Sequence, residues 1–280
     1  MVAAMAGFAI EDAVIKQLSY SMPVSQVLML IGCGGVFTFG VTSLVTRVRL
    51  VSPEIMRPWF VIRTVSELAS AIFFVIAIVY ASLSVSSAIL QATPLAVSLA
   101  AAVFLKQHVS VKQWILIAIG FMGVLCVIQP GLDGFKPAAL FAIVGVMFLA
   151  LRDAITRSIS ISIPAVAVSF WAFFALLMAG VVTIPFFADF TPVRMEHLGL
   201  LLVSTLAGTG AYFCVVMATR GGDVAVVAPF RYTRLLFALV LAVLFFDEDV
   251  NAMMILGSSL IIGSGIVMIG SSGSRGKQIN

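Results

Sequence analysis

Apolar residues run along this chain in blocks of about 20, separated by short connections that carry charge, Pro or Gly. Bounded this way, ten spans appear: 2–18, 24–46, 59–81, 84–105, 111–129, 135–155, 164–186, 196–218, 223–246 and 250–270. Ser52-Pro53, Pro130-Gly131, Asp133-Gly134, Thr191-Pro192 and Gly221-Gly222-Asp223 punctuate the turns. The blocks are continuously apolar rather than alternating, which predicts helices and excludes barrel strands. Each is long enough for a hydrocarbon core about 30 Å thick, which takes about 20 helical residues.

The pattern restarts half-way. Residues 11–23 read EDAVIKQLSYSMP and residues 152–164 read RDAITRSISISIP, displaced by 141 positions. Asp12, Ala13, Ser19, Ser21 and Pro23 recur as Asp153, Ala154, Ser160, Ser162 and Pro164. At a slightly different offset, Thr93-Pro94-Leu95 returns as Thr233-Arg234-Leu235. This long internal period predicts two units, residues 1–134 and 135–280, with five spans each.

Composition agrees: 62% of residues are hydrophobic, 10% are charged, and mean hydropathy is +1.19. A soluble domain carries roughly 25% charged residues, so the expected class is an all-α, multi-pass membrane protein. The opening MVAAMAGFAIEDAV lacks a basic leader, so no cleavable signal is expected, and its first span is short at the N-terminal end. Cys33, Cys126 and Cys214 are isolated in apolar runs and read as buried small hydrophobes, and His108 and His197 as surface residues. No metal cluster, nucleotide loop or catalytic triad stands out, which predicts neither cofactor nor enzyme.

Charge sets the expected orientation. Lys16, Lys136 and Arg194 lie in connections on one side and the other thirteen of the sixteen basic residues on the opposite side. The richer side should be cytoplasmic, with both termini there. The net charge of +4 then reflects topology rather than nucleic-acid binding. Because each unit has an odd number of spans, the second must enter the membrane upside down. The connection LKQHVSVK, with Lys106 and Lys112, is matched by FFDEDVNA, with Asp247, Glu248 and Asp249, which suits opposite faces. Inverted repeats are the architecture of many secondary transporters.

Five plus five inverted spans, the Asp-Ala with a basic residue beyond it, SAILQATPLAVSLAAAVFLKQHVSVKQWILIAIGFMGVL over 87–125, and VAPFRYTRLLFALVLAVLFFDEDV in the second half together resemble EamA-type members of the drug/metabolite transporter superfamily. The chain looks most like the YddG branch, similar to exporters of aromatic amino acids and related metabolites. It departs at Lys106-Gln107, where many members have Gly-Glu, and at Ile31-Gly32, where relatives often carry an Arg. The resemblance implies a bacterial inner-membrane protein with a central cavity enclosed by spans 1, 3, 4, 6, 8 and 9.

Within that frame, Glu67 in span 3 is either a functional intramembrane charge or the i, i+4 partner of Arg63. Glu11 and Asp12 serve coupling or structure, with Asp12 and Lys16 a second i, i+4 pair. Arg231, two residues beyond the helix-breaking Pro229, is the candidate for an anionic group, with Arg234 snorkelling to the surface. Pro94 is its loose counterpart, and Gln91 offers an amide to ligand or helix. Tyr80, Tyr212 and Tyr232 are expected from the resemblance to face the cavity, and they either stack on an aromatic ligand or anchor at the membrane interface, Tyr80 above all because it closes its span.

The expected function is export of small amphipathic metabolites, aromatic amino acids first, by alternating access. Arg231 would meet the carboxylate and Glu67 the ammonium. The expected partners are that substrate and the lipid bilayer, with a monomer sufficient. The competing reading is a membrane scaffold whose charges are all satisfied in helix pairs.

Overall fold

A computed structural model describes residues 1–104, 110–129, 136–156, 163–187, 190–221 and 228–276. The chain forms helices α1 (Val2–Leu18), α2 (Val24–Thr46), α3 (Pro58–Tyr80), α4 (Leu83–Leu90), α5 (Thr93–Phe104), α6 (Val111–Ile128), α7 (Ala139–Thr156), α8 (Ala165–Thr183), α9 (Met195–Gly221), α10 (Thr233–Phe246) and α11 (Ala252–Gly276). Short 3-10 turns, Ile184–Phe186 and Ala228–Tyr232, follow α8 and precede α10.

Among the described residues, seven helices are long and apolar enough to cross a membrane. The other three expected spans differ from single long helices. Span 1 is the 17-residue α1. Span 4 is broken into α4 and α5, and span 9 enters through the 3-10 turn before α10. The causes are local. Pro94 lacks an N–H to continue a helix but suits the first turn of a new one. Thr93 Oγ1 donates to Leu90 O at 2.5 Å, closing α4. Pro229 falls in the 3-10 turn that precedes α10; its side chain lies outside the described residues, as do Lys106, Gln107, His108 and Arg157.

The two halves share one plan. The start of α2 recurs as the start of α8, that of α6 as that of α11, and the end of α3 as the end of α9, all at the offset that relates Asp12 to Asp153. Packing repeats as well: α3 on α7 is mirrored by α1 on α9, and α4 and α5 on α7 by α1 on α10. The pairs α2/α8 and α6/α11 cross between the halves. Apolar lipid gives helices no hydrophobic reason to associate, so small residues that admit close backbones hold these crossings. A Cβ on Gly180 of α8 would sit 2.5 Å from Met29 N, and one on Gly123 of α6 would sit 2.7 Å from Gly257 O.

One end of the bundle is laced shut. Gln26 Nε2 donates to Thr191 O (2.7 Å) and Gln26 Oε1 accepts from Thr191 N (2.9 Å). Gln129 Nε2 donates to Asn251 Oδ1 (2.9 Å), and Lys136 Nζ donates to Ala81 O (3.0 Å). Glu248 accepts from Leu83 N (2.7 Å), Ser84 N (2.9 Å), Ser84 Oγ (2.5 Å) and Lys16 Nζ. Lys16 therefore pairs with Glu248, from the far end of the chain, and not with Asp12.

Two other expectations change. His197 is buried rather than on the surface, its Nδ1 accepting from Arg194 N at 3.2 Å. Cys33 and Cys214 are exposed rather than buried, because the outside of a membrane bundle is as apolar as its interior.

Candidate functional site

The interior between α1, α3, α7, α9 and α10 holds most of the buried charge seen among the described residues. Arg63 and Glu67 are one turn apart on α3, and Arg63 Nη2 donates to Glu67 Oε2 at 3.1 Å. The same Nη2 reaches Tyr212 Oη of α9 at 3.0 Å, while Nε reaches Thr156 Oγ1 of α7 at 3.2 Å. Arg152 Nη1 of α7 donates to Glu67 Oε1 at 2.6 Å, and its Nη2 to Asp153 Oδ1 at 2.7 Å. Arg231 extends the chain, with Nη1 3.6 Å from Asp153 Oδ2. Charges at such depth persist only when paired or functional.

Beside this network, Arg234 of α10 donates through Nη2 and Nε to Asp12 Oδ2 of α1, at 2.5 and 3.2 Å. Its guanidinium lies over the rings of Phe8 and Phe74, 5.0 and 5.6 Å from their centroids. Arg234 is thus held inside the bundle and does not snorkel, because a carboxylate and two ring faces replace water there. Arg231, the expected anion partner, is the more open of the two and already faces Asp153.

The remaining candidates separate. Tyr212 is central: besides Arg63, its ring meets Phe8 and Phe173 edge-on at 6.5 and 6.0 Å. Tyr80 is not with it. It is exposed, stacks on Phe187 at 6.3 Å, and lines an apolar groove of about 600 Å³ with Ile76, Pro137 and Phe141. Tyr232 is buried, but its hydroxyl rests on Gly265 of α11 and has no hydrogen-bond partner among the described residues. Gln91 closes α4, buried, with Nε2 likewise unpartnered. Pro94 is half-buried at the start of α5. Glu11 is buried on α1 against Gly208 of α9. Among the described residues no metal-holding cluster occurs.

Arg152 and Asp153 join the site without having been expected there. The repeat held the signal, since Asp153 is the copy of Asp12.

The family comparison is decisive: the model of the EamA-like transporter family matches residues 1–129 and 136–270. The chain belongs to this family. Among curated relatives of this EamA-family protein, it is 25% identical over 178 residues to an S-adenosylmethionine uptake transporter of Rickettsia bellii, covering 63% of this chain and 60% of that one. It is 25% identical to a riboflavin transporter of Rhizobium johnstonii, covering 65% and 60%. A pseudopaline exporter of Pseudomonas aeruginosa is 23% identical, with 91% and 89% covered. The match thus spans about three fifths of the first two relatives. A crystal structure superposes with a TM-score of 0.62 at 19% identity, covering 95% of this chain and 96% of the other. That likeness is one of fold.

Proposed function

We propose that this EamA-family protein is a secondary transporter that moves small amphipathic metabolites across a bacterial inner membrane by alternating access. One observation carries the reading: two units of like plan close around a buried network of opposite charges, and side-chain clamps lace one end of the bundle shut. Paired charges alone would also suit a scaffold, and the transporter family to which the chain belongs supports transport instead. Relatives named for uptake and for export, with three unlike cargoes, support transport while leaving direction and cargo to experiment.

The proposed topology has ten passes in two inverted units, residues 1–134 and 135–280. Lys16, Lys136 and Arg194 all fall at the laced end, so the positive-inside rule faces that end outward and both termini inward. Aromatic amino acids are the first cargo to test, with Tyr212 as the stacking residue. Glu67 is already shared by two guanidinium groups and is a fixed strut of the site rather than the ammonium partner.

The test is flux of labelled phenylalanine and a panel of amphipathic metabolites into proteoliposomes of known orientation. Saturable flux that Tyr212→Ala weakens is the expected result. Absence of saturable flux for every compound would remove the reading.

A further inference from the structure

The two halves agree on backbone and disagree on charge at one place. On one side of the interior, Arg152 of α7 meets Glu67 of α3. The repeat offset carries Arg152 back onto Glu11 and Glu67 forward onto Gly208. These mates do meet, α1 on α9: a Cβ added to Gly208 would lie 2.3 Å from Glu11 Oε1. Where one half has an ion pair, the other has a carboxylate facing a residue with no side chain. Arg63, one turn before Glu67, likewise maps to the small Ser204, whose hydroxyl is buried without a partner among the described residues.

Glu11 is 8% exposed, yet among the described residues no side chain or backbone group hydrogen-bonds its carboxylate. Its neighbour Asp12 takes both bonds from Arg234, whose positive charge also acts on Glu11 without bonding it. A carboxylate inside a membrane bundle without a donor is strongly disfavoured unless something brings it positive charge. A second idle group is held from the same face of α9. Gly208 and Tyr212 are i, i+4 on one face of α9, and Tyr212 holds Arg63, which is 2% exposed and whose Nη1 has no partner among the described residues. Phe8, on α1 with Glu11, meets the Tyr212 ring edge-on at 6.5 Å.

We infer that Glu11 is the cation-recognising residue of the transport site. Its ligand class is small molecules that carry a primary ammonium on an apolar body, with Arg63 Nη1 as the complementary pole for an acidic group. This rests on the transport reading, and sharpens it, because the cation is assigned to Glu11 rather than Glu67.

Three probes of one skeleton test it: phenylalanine, phenethylamine, which keeps only the ammonium, and 3-phenylpropionate, which keeps only the carboxylate. Binding is read as ligand-induced Tm shift in detergent and flux in proteoliposomes, for the full-length protein and for Glu11→Gln and Glu11→Asp. Losing a charge-assisted bond should weaken phenylalanine and phenethylamine by about tenfold or more in Glu11→Gln. Phenylpropionate should change less than about threefold by the same arithmetic, and Glu11→Asp should recover part of the loss. Unliganded Glu11→Gln should be at least as stable as the parent, which separates a binding defect from a folding one.

Equal losses for all three probes, or none, overturn the inference while wild-type flux keeps the transport reading. Selective binding loss without any wild-type flux does the reverse. Loss of pH-driven flux in Glu11→Gln with unchanged preference among the probes assigns the carboxyl to a proton and overturns the inference. A wild-type protein that neither binds nor moves any of the three overturns both.

Discussion

Glu248→Gln should loosen the laced end of the bundle without unfolding it. Glu248 follows the left-handed cap Asp247 (φ 48°) at the end of α10 and gathers four donors from α4 and α1. A glutamine keeps a neutral acceptor for Leu83 and Ser84 but strips the counter-charge from Lys16, whose side chain is only 7% exposed. Removing one partner of a buried pair costs about 3–5 kcal/mol, and solvent screening at this end of the bundle reduces that to about 2 kcal/mol. At about 1.4 kcal/mol per factor of ten, the open form should gain about thirtyfold.

Ser87, fully buried one turn beyond Ser84 on α4, reports it. In a background with Cys33, Cys126 and Cys214 replaced, Ser87→Cys should react with a membrane-impermeant thiol reagent about thirtyfold faster when Glu248→Gln is added, because labelling follows the open population. A change under about threefold would refute the clamp, since it corresponds to less than about 1 kcal/mol.

The same clamp has a defined pH response. Burial raises the Glu248 carboxyl, but hydrogen bonds from Lys16, Ser84 and Leu83 outweigh it and hold the group below its ordinary 4.5. A folded-state value below the unfolded one gives a contribution fully present above 4.5 and lost only as pH falls through the lower value. Labelling of Ser87→Cys should therefore be flat from about pH 5 to about pH 8, after correction for thiolate ionisation. A midpoint inside that window would refute the assignment.

Gly123→Ala should destabilise the α6/α11 crossing by about 1–3 kcal/mol, because the new methyl meets the backbone oxygen of Gly257 at 2.7 Å, whereas Gly210→Ala, with nothing within 4 Å, should be neutral. Thermal unfolding in detergent measures both. Asp12→Asn and Arg234→Gln should each cost about 3 kcal/mol, and the double variant less than their sum, by about 2 kcal/mol; an additive cycle would exclude the pair. Antiparallel packing of α6 on α11 puts residue 111 and residue 249 at opposite ends, so Val111→Cys and Asp249→Cys should label from opposite faces of the bilayer.

The Arg63–Glu67 pair is legible in the sequence because i, i+4 neighbours share a helix face. Lys16 and Asp12 satisfy the same spacing, yet each finds its partner in the opposite half of the chain, Glu248 for one and Arg234 for the other. Spacing states which groups can meet and not which competitor is nearer once helices pack. Tyr80 and Tyr232 do not join Tyr212 at Arg63 for another reason. Lipid surrounds a bundle with a medium as apolar as its own interior, so periodicity does not say which face of a span looks inward. The break at Gln91 hides in a continuous apolar run, and only the following Thr-Pro signals it.

Duplication constrains the backbone more tightly than the side chains, and the two interrupted spans display this. Span 4 breaks between Leu90 and Thr93, and span 9 changes from 3-10 turn to α-helix between Tyr232 and Thr233. At the repeat offset Gln91 falls on Tyr232, and each carries a buried polar tip without a partner among the described residues. The discontinuity thus recurs at the same repeat position in both halves. The charges did not need to survive in pairs. Once Arg152 and Glu67 hold one side of the interior together, the facing positions Glu11 and Gly208 are released from that duty. A strictly two-fold interior would offer a ligand two equal half-sites, whereas this one pairs an ion-paired side with a side whose carboxyl has no hydrogen-bond donor among the described residues.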